Sequence, residues 1–150
     1  MIHYVVTSFG MGIISGIFVL LFFAAIRKMN LYTVDGVSAI GSLLTQKDEN
    51  ARIVGSIFHI LGAIFYTFIY FLVFRLVPVP KDAGSWIYPV LGLGLGFNHG
   101  MLAALVLGII LTRFHSMEKY RKLGFGIAII HSIAHIFYGI VVAILYIFTI

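Results

Sequence analysis

Four histidines lie inside long apolar runs of this 150-residue sequence, and they are the residues best suited to chemistry. These four are His59, His99, His131 and His135. An ionisable side chain within a membrane-spanning segment indicates a functional site, because such a residue is costly to place there. Imidazole without neighbouring carboxylate or thiolate suits haem iron, copper or zinc. We therefore treat the four as candidate cofactor ligands. His3 and His115, near the ends of the runs, are expected to be solvated.

His59 and His135 form the best candidate pair. At about 1.5 Å of helix rise per residue, they lie at similar depths in their runs, so we expect them to face each other. A b-type haem takes one histidine from each of two facing helices, and His99 or His131 are substitute ligands. Two alternatives stay open. In the first, the histidines serve only as buried residues that hydrogen-bond to neighbouring helices, and in the second they transfer a proton or contact a substrate.

The elements that must position these side chains are membrane spans. The composition is 61% hydrophobic and 10% charged, against about 45–50% and 25% in ordinary soluble domains. Four segments reach the roughly 20 apolar residues that a spanning helix needs. They are about 4–26, 53–77, 87–111 and 123–148. We predict an all-α integral membrane protein, a four-helix transmembrane bundle in a single domain over 1–150.

The basic residues predict an orientation. Eight of the ten Lys and Arg residues fall in loops 27–52 and 112–122, which places these loops in the cytoplasm and both termini outside. The net charge of +5 is then explained by contact with the headgroups of a lipid bilayer, and we do not expect the chain to bind nucleic acid. We expect the bilayer to be a prokaryotic plasma membrane. A short amphipathic helix over 34–45, capped by Thr33, is expected to lie in the inner interface.

An internal repeat relates the two halves of the chain. Segments 56–60 (SIFHI) and 132–136 (SIAHI) are identical at four of five positions. Gly12 falls on Gly96 when the first and third spans are aligned. We therefore predict two hairpins, about 4–77 and 87–148, related by an axis along the membrane normal. Stripes of small residues on the first and third spans predict close helix packing. The stripes are Ser8, Gly12 and Gly16, and Gly92, Gly96, Gly100, Ala104 and Gly108.

The sequence resembles small uncharacterised prokaryotic four-span membrane proteins. That group shows an Asp followed by a Gly-Ser-Leu-Leu-type segment after a Gly-rich first span, and later spans marked by His, Gly and Tyr. The matching pieces here are Asp35, Gly41-Ser42-Leu43-Leu44, His59 with Gly62 and Tyr66, His99-Gly100, and His135 with Tyr138-Gly139. The resemblance implies the four-span fold and no particular activity.

No nucleotide-binding, hydrolase or zinc-protease motif is present, so we expect the chain not to be an enzyme on its own. The leading hypothesis is a non-catalytic subunit that packs within or scaffolds a larger membrane complex of respiratory or other redox type. Its partners would be other membrane subunits or further copies of the chain. The alternative is a b-type haem protein that passes electrons through intramembrane bis-histidine ligation. A small channel or carrier is a third hypothesis.

Overall fold

Six helices make up the parts of the chain that the computed structural model describes, residues 2–31, 35–80, 83–122 and 125–150. They are α1 (Ile2–Lys28), α2 (Gly36–Thr45), α3 (Ala51–Leu76), α4 (Ile87–Phe114), α5 (Glu118–Arg121) and α6 (Phe125–Ile147). Helices α1, α3, α4 and α6 are long and apolar enough to cross a membrane. A helix satisfies its own backbone hydrogen bonds, as a lipid environment demands. The predicted all-α, four-helix bundle is confirmed.

The spanning helices pack as two pairs, α1 against α3 and α4 against α6, and α1 also contacts α6. Small residues bring the backbones together in both pairs. In the first, Gly12 lies against the backbone of Ile64. In the second, Gly92 lies against the carbonyl of Gly139. Close backbone approach of this kind holds helices together where lipid removes the hydrophobic driving force.

The two pairs pack at corresponding positions, in a register that differs from the expected one. Gly16 meets Ile60 and Ala63, and Gly96 meets Ile136 and Gly139. By these contacts Gly12 is the equivalent of Gly92, and Gly16 is the equivalent of Gly96. The sequence alignment places Gly12 on Gly96, so the two alignments of the first and third spans differ by four residues, or about one turn. The duplication of the hairpin stays a prediction.

Helix α2 packs closely against α3, and its place in the inner membrane interface stays a prediction. One of its faces is buried against α3, where Gly41 meets the carbonyl of Ala51 and Gly55 meets that of Val37. Asp35 caps the helix by accepting a hydrogen bond from the Val37 N–H at 3.1 Å. The expected cap, Thr33, lies outside the described residues.

The two basic loops contact each other at one end of the bundle, which we call the basic-end contact. It comprises an ion pair between Asp48 and Lys119, a hydrogen bond from the Tyr120 hydroxyl to Asp48 at 2.8 Å, and a hydrogen bond between Ser42 and His115. His115 is only 1% exposed, so the prediction that it is solvated is wrong. The loop residues fold back over it. The His3 side chain lies outside the described part of the chain.

Candidate functional site

All four candidate histidines line one cavity of about 550 Å³. Helix α3 contributes His59, α4 contributes His99, and α6 contributes His131 and His135. The remaining lining is apolar apart from the phenol groups of two tyrosines, Tyr66 and Tyr138. The structure therefore brings together the residues that the sequence singled out, although they come from three separate helices.

The four imidazoles form a row. Ring centroids are 5.9 Å apart from His59 to His131, 4.7 Å from His131 to His135, and 4.5 Å from His135 to His99. Within the described residues, no group of three or more His, Cys, Asp or Glu is arranged to hold a metal ion. The row can therefore supply one or two ligands to a metal, but not a multi-histidine cage.

The expected pairing of His59 with His135 is corrected by this geometry. The α6 imidazole in ring contact with His59 is that of His131, and Phe23 of α1 packs on both rings, at 5.7 and 5.2 Å. His131 lies four residues, or one helical turn of about 5.4 Å, before His135 on α6. The ring that meets His59 therefore comes from one turn earlier on α6 than residue counting indicates.

Backbone carbonyls orient two of the four rings. Nδ1 of His59 donates to the Gly55 carbonyl at 3.0 Å, and Nδ1 of His135 donates to the His131 carbonyl at 2.8 Å. Because a carbonyl only accepts, Nδ1 carries the proton in both rings and Nε2 keeps its lone pair. Metal-ligating histidines have this arrangement, in which the second ring nitrogen donates to a carbonyl or carboxylate.

His131 is buried without a hydrogen-bond partner among the described residues. It is 6% exposed, and its ring contacts are with Phe23, His59 and His135 only. A neutral imidazole has one donor and one acceptor, and leaving such groups unpaired in a protein interior costs about 1–3 kcal/mol each. An unpaired buried polar group needs an explanation, and a bound ligand is one.

His99 is held by two tyrosines of α3 that sequence reasoning did not assign to the site. The Tyr66 ring stacks on it with centroids 3.6 Å apart, and the Tyr70 hydroxyl is hydrogen-bonded to its Nδ1 at 3.3 Å. Positions 59, 63, 66 and 70 share one helix face, at spacings of four, three and four. That periodicity was the available signal, and it links these tyrosines to His59.

The cavity opens sideways, between α3 and α4. Large apolar residues that line it are also exposed on the outer surface, and they include Phe58, Leu61 and Phe65 of α3 and Leu102 and Val106 of α4. Gly62, in the same lining, has nothing within 4 Å of where a side chain would begin. In a bilayer this opening faces acyl chains, so the imidazoles are reached from lipid.

Comparisons with family models, with curated proteins and with solved structures find no match for this chain. The resemblance to small four-span membrane proteins therefore stays a prediction, and the function has to be argued from the chemistry of the cavity.

Proposed function

We propose that this chain is an integral membrane protein that holds a histidine-ligated redox cofactor, a b-type haem, and passes electrons within the membrane. One observation carries the proposal. Three imidazoles in a single intramembrane cavity, those of His59, His131 and His135, present ring nitrogens that no described residue occupies. Neutral imidazole nitrogens in an apolar site are suitable axial ligands for haem iron.

We assign His59 as the ligand from α3. The His59 and His131 ring centroids are 5.9 Å apart, so an imidazole of α3 and one of α6 would together hold the cofactor iron. His135, whose ring neighbours that of His131, is the other candidate ligand on α6. Its Nε2 is already left free by the bond from Nδ1 to a carbonyl.

The remaining lining suits a flat apolar cofactor. The walls are aliphatic and aromatic, and the backbone carbonyls of Gly55 and His131 fix two imidazoles in the tautomer that can bind a metal. A bound haem would supply one-electron chemistry. The protein residues would orient the axial ligands and keep water away from the site.

An optical experiment tests the proposal. The protein is overproduced, and absorbance spectra are recorded in intact membranes and after mild detergent extraction, oxidised and dithionite-reduced, with iron analysis of the purified sample. We expect a reduced α-band of b type that His59→Ala abolishes. Ser132→Ala, next to His131 on α6 but outside the lining of this cavity, should keep the band. An iron-free purified sample, together with membranes from haem-supplied cells that show no b-type band beyond that of cells without the protein, would overturn the proposal.

A second candidate function is that of a non-catalytic subunit in a larger membrane assembly. The observation that favours it is a polar side chain, Asn98, exposed near the middle of α4, where a lipid-facing residue would ordinarily be apolar. Native electrophoresis after mild detergent extraction tests this function. A single band at the mass of the monomer would exclude it.

A further inference from the structure

Asn98 is a polar residue exposed on the outer surface of the bundle. It lies about 17 Å along a helix of about 42 Å, since α4 begins at Ile87 and rises about 1.5 Å per residue. Its side-chain N–H donates to the Gly94 carbonyl of its own helix at 2.8 Å. The amide has two donors and an acceptor oxygen. One N–H and the oxygen therefore have no partner among the described residues, at a depth where lipid provides none.

Asn98 belongs to a face of α4 that we call the outer face. Its residues are spaced alternately by four and three positions, the spacing of a two-helix coiled-coil seam. They are Gly94, Asn98, Met101, Leu105, Gly108 and Thr112, all exposed or half-exposed. Nothing lies within 4 Å of a side chain added at Gly94 or Gly108. Beside this face, a groove of about 670 Å³ runs between α4 and α6.

The composition of the outer face favours a second copy of the same chain over an unrelated helix. Two copies insert into a membrane in the same orientation, so their α4 helices are parallel and each seam residue meets its own counterpart around a two-fold axis. An amide is self-complementary, because the N–H of one Asn98 can donate to the oxygen of the other. A single Asn in such a seam fixes the register and the number of helices.

We propose that the chain forms a parallel homodimer through the outer faces of two α4 helices, with the Asn98 side chains hydrogen-bonded to each other at the two-fold axis. The glycines allow the backbones to approach, and Met101 and Leu105 fill the layers between them. The histidine cavity stays open in this dimer. Its α4 lining, including Leu102 and Val106, lies on a different side of the helix.

Disulfide cross-linking tests the dimer directly, since the natural sequence contains no cysteine. Single variants Leu105→Cys and Val106→Cys are expressed, and the membranes are oxidised with copper phenanthroline. These neighbours are 61% and 52% exposed, but only Leu105 lies on the outer face. A disulfide needs Cβ atoms about 3.5–4.5 Å apart. We expect a product of about 33 kDa, twice the 16.6 kDa chain, from Leu105→Cys and not from Val106→Cys.

A variant of Asn98 tests the role of the amide. Asn98→Leu keeps the face apolar and the fold intact, because the side chain is exposed. It should raise the dimer dissociation constant about five- to tenfold, as expected for the loss of one interhelical polar contact. Equal cross-linking at positions 105 and 106, no cross-linking, or a product of another mass would overturn the proposal. An unchanged dissociation constant for Asn98→Leu would overturn the place of Asn98 at the axis.

Discussion

The Nε2 atom of His115 lies 3.0 Å from the Ser42 hydroxyl, although 73 positions separate the two residues. Nδ1 of His115 accepts from the Met117 N–H at 3.0 Å, so the ring proton is on Nε2 and is donated to Ser42 and to the Ala39 carbonyl. Every ring nitrogen of this histidine is satisfied. Helix α2 is thereby fastened to the segment that links α4 to α6.

We expect the loss of the His115 side chain to lower the unfolding free energy more than the loss of the Ser42 hydroxyl. Ser42→Ala leaves the Ala39 carbonyl as acceptor at 3.2 Å and should cost about 1 kcal/mol of unfolding free energy. His115→Ala leaves a buried cavity and an unpaired Met117 N–H, and should cost about 2–4 kcal/mol. Thermal unfolding in one detergent measures both. Ser116→Ala, at the exposed neighbouring position, is the control, and equal losses for all three variants would contradict this account.

The ion pair of the basic-end contact should make the unfolding free energy depend on pH. Hydrogen bonds from Lys119 and Tyr120 hold the pKa of the Asp48 carboxyl below its usual range, and Asp48 raises the pKa of the Lys119 ammonium. A lowered carboxyl pKa stabilises the fold above the unfolded value of about 4, and this stabilisation is lost as pH falls through the lower, folded value. A raised ammonium pKa stabilises the fold below about pH 10 and is lost above the folded value.

Stability from this contact should therefore be constant between about pH 5 and pH 9 and should fall below about pH 4. Melting temperatures across this range measure it. Asp48→Asn, which cannot ionise, should show a smaller acid loss than the unmodified protein. Identical acid profiles for the two proteins would show that other carboxyl groups govern the transition.

The close approach of α2 and α3 should tolerate no side chain at Gly41. A methyl group there would overlap the Ala51 carbonyl, and we expect Gly41→Ala to cost about 1–3 kcal/mol of unfolding free energy. Gly62→Ala is the matched control, because open space surrounds Gly62 on α3. It should be neutral or stabilise by up to about 1 kcal/mol through helix propensity. Denaturant titrations measure the unfolding free energy of both variants. Equal changes in the two variants would refute the packing argument.

Tyr138 ties the two helix pairs together. Its hydroxyl donates to the Ala63 carbonyl at 2.7 Å and accepts from Thr67 at 2.8 Å, so α6 is bonded to α3. We expect Tyr138→Phe to lower the unfolding free energy by about 1–2 kcal/mol. Tyr146→Phe is the control, since Tyr146 is equally buried and the described residues offer its hydroxyl no hydrogen bond. Comparable losses in the two variants would mean that ring packing, rather than the hydroxyl, matters.

The spanning helices could be predicted because the signal for them is local. An apolar run of at least 20 residues has no stable alternative to a helix in lipid. Helix α4 begins at Ile87, as predicted, and ends at Phe114, three residues beyond the predicted end. The grouping of the four histidines was also predictable, since each is a costly polar residue within a span. Apart from the phenol groups of Tyr66 and Tyr138, the rest of the lining is apolar.

What the sequence did not predict depends on how separate segments pack. The burial of His115 arises from contacts with residues more than 70 positions away, and no local pattern encodes them. The ring that meets His59 is that of His131, one turn earlier on α6 than His135. Counting residues from the ends of the spans assumes that equal positions in two helices lie at equal depths, and the sequence does not show where this assumption fails.

His131 and His115 should respond oppositely to the same substitution. Both are buried, at 6% and 1% exposure, but His115 has all its hydrogen bonds and His131 has none within the described chain. In ligand-free protein, His131→Leu removes an unpaired polar group and should stabilise the fold by about 1 kcal/mol or more. His115→Leu should destabilise it by several kcal/mol, because the Met117 N–H loses its acceptor and the Ser42 hydroxyl loses its donor. Unfolding titrations of haem-free protein measure whether each substitution raises or lowers the unfolding free energy. Spectra of haem-loaded samples show separately whether His131→Leu weakens cofactor binding.

A loss of stability in His131→Leu as large as that in His115→Leu would make His131 a packing residue. The α6 ligand would then be His135.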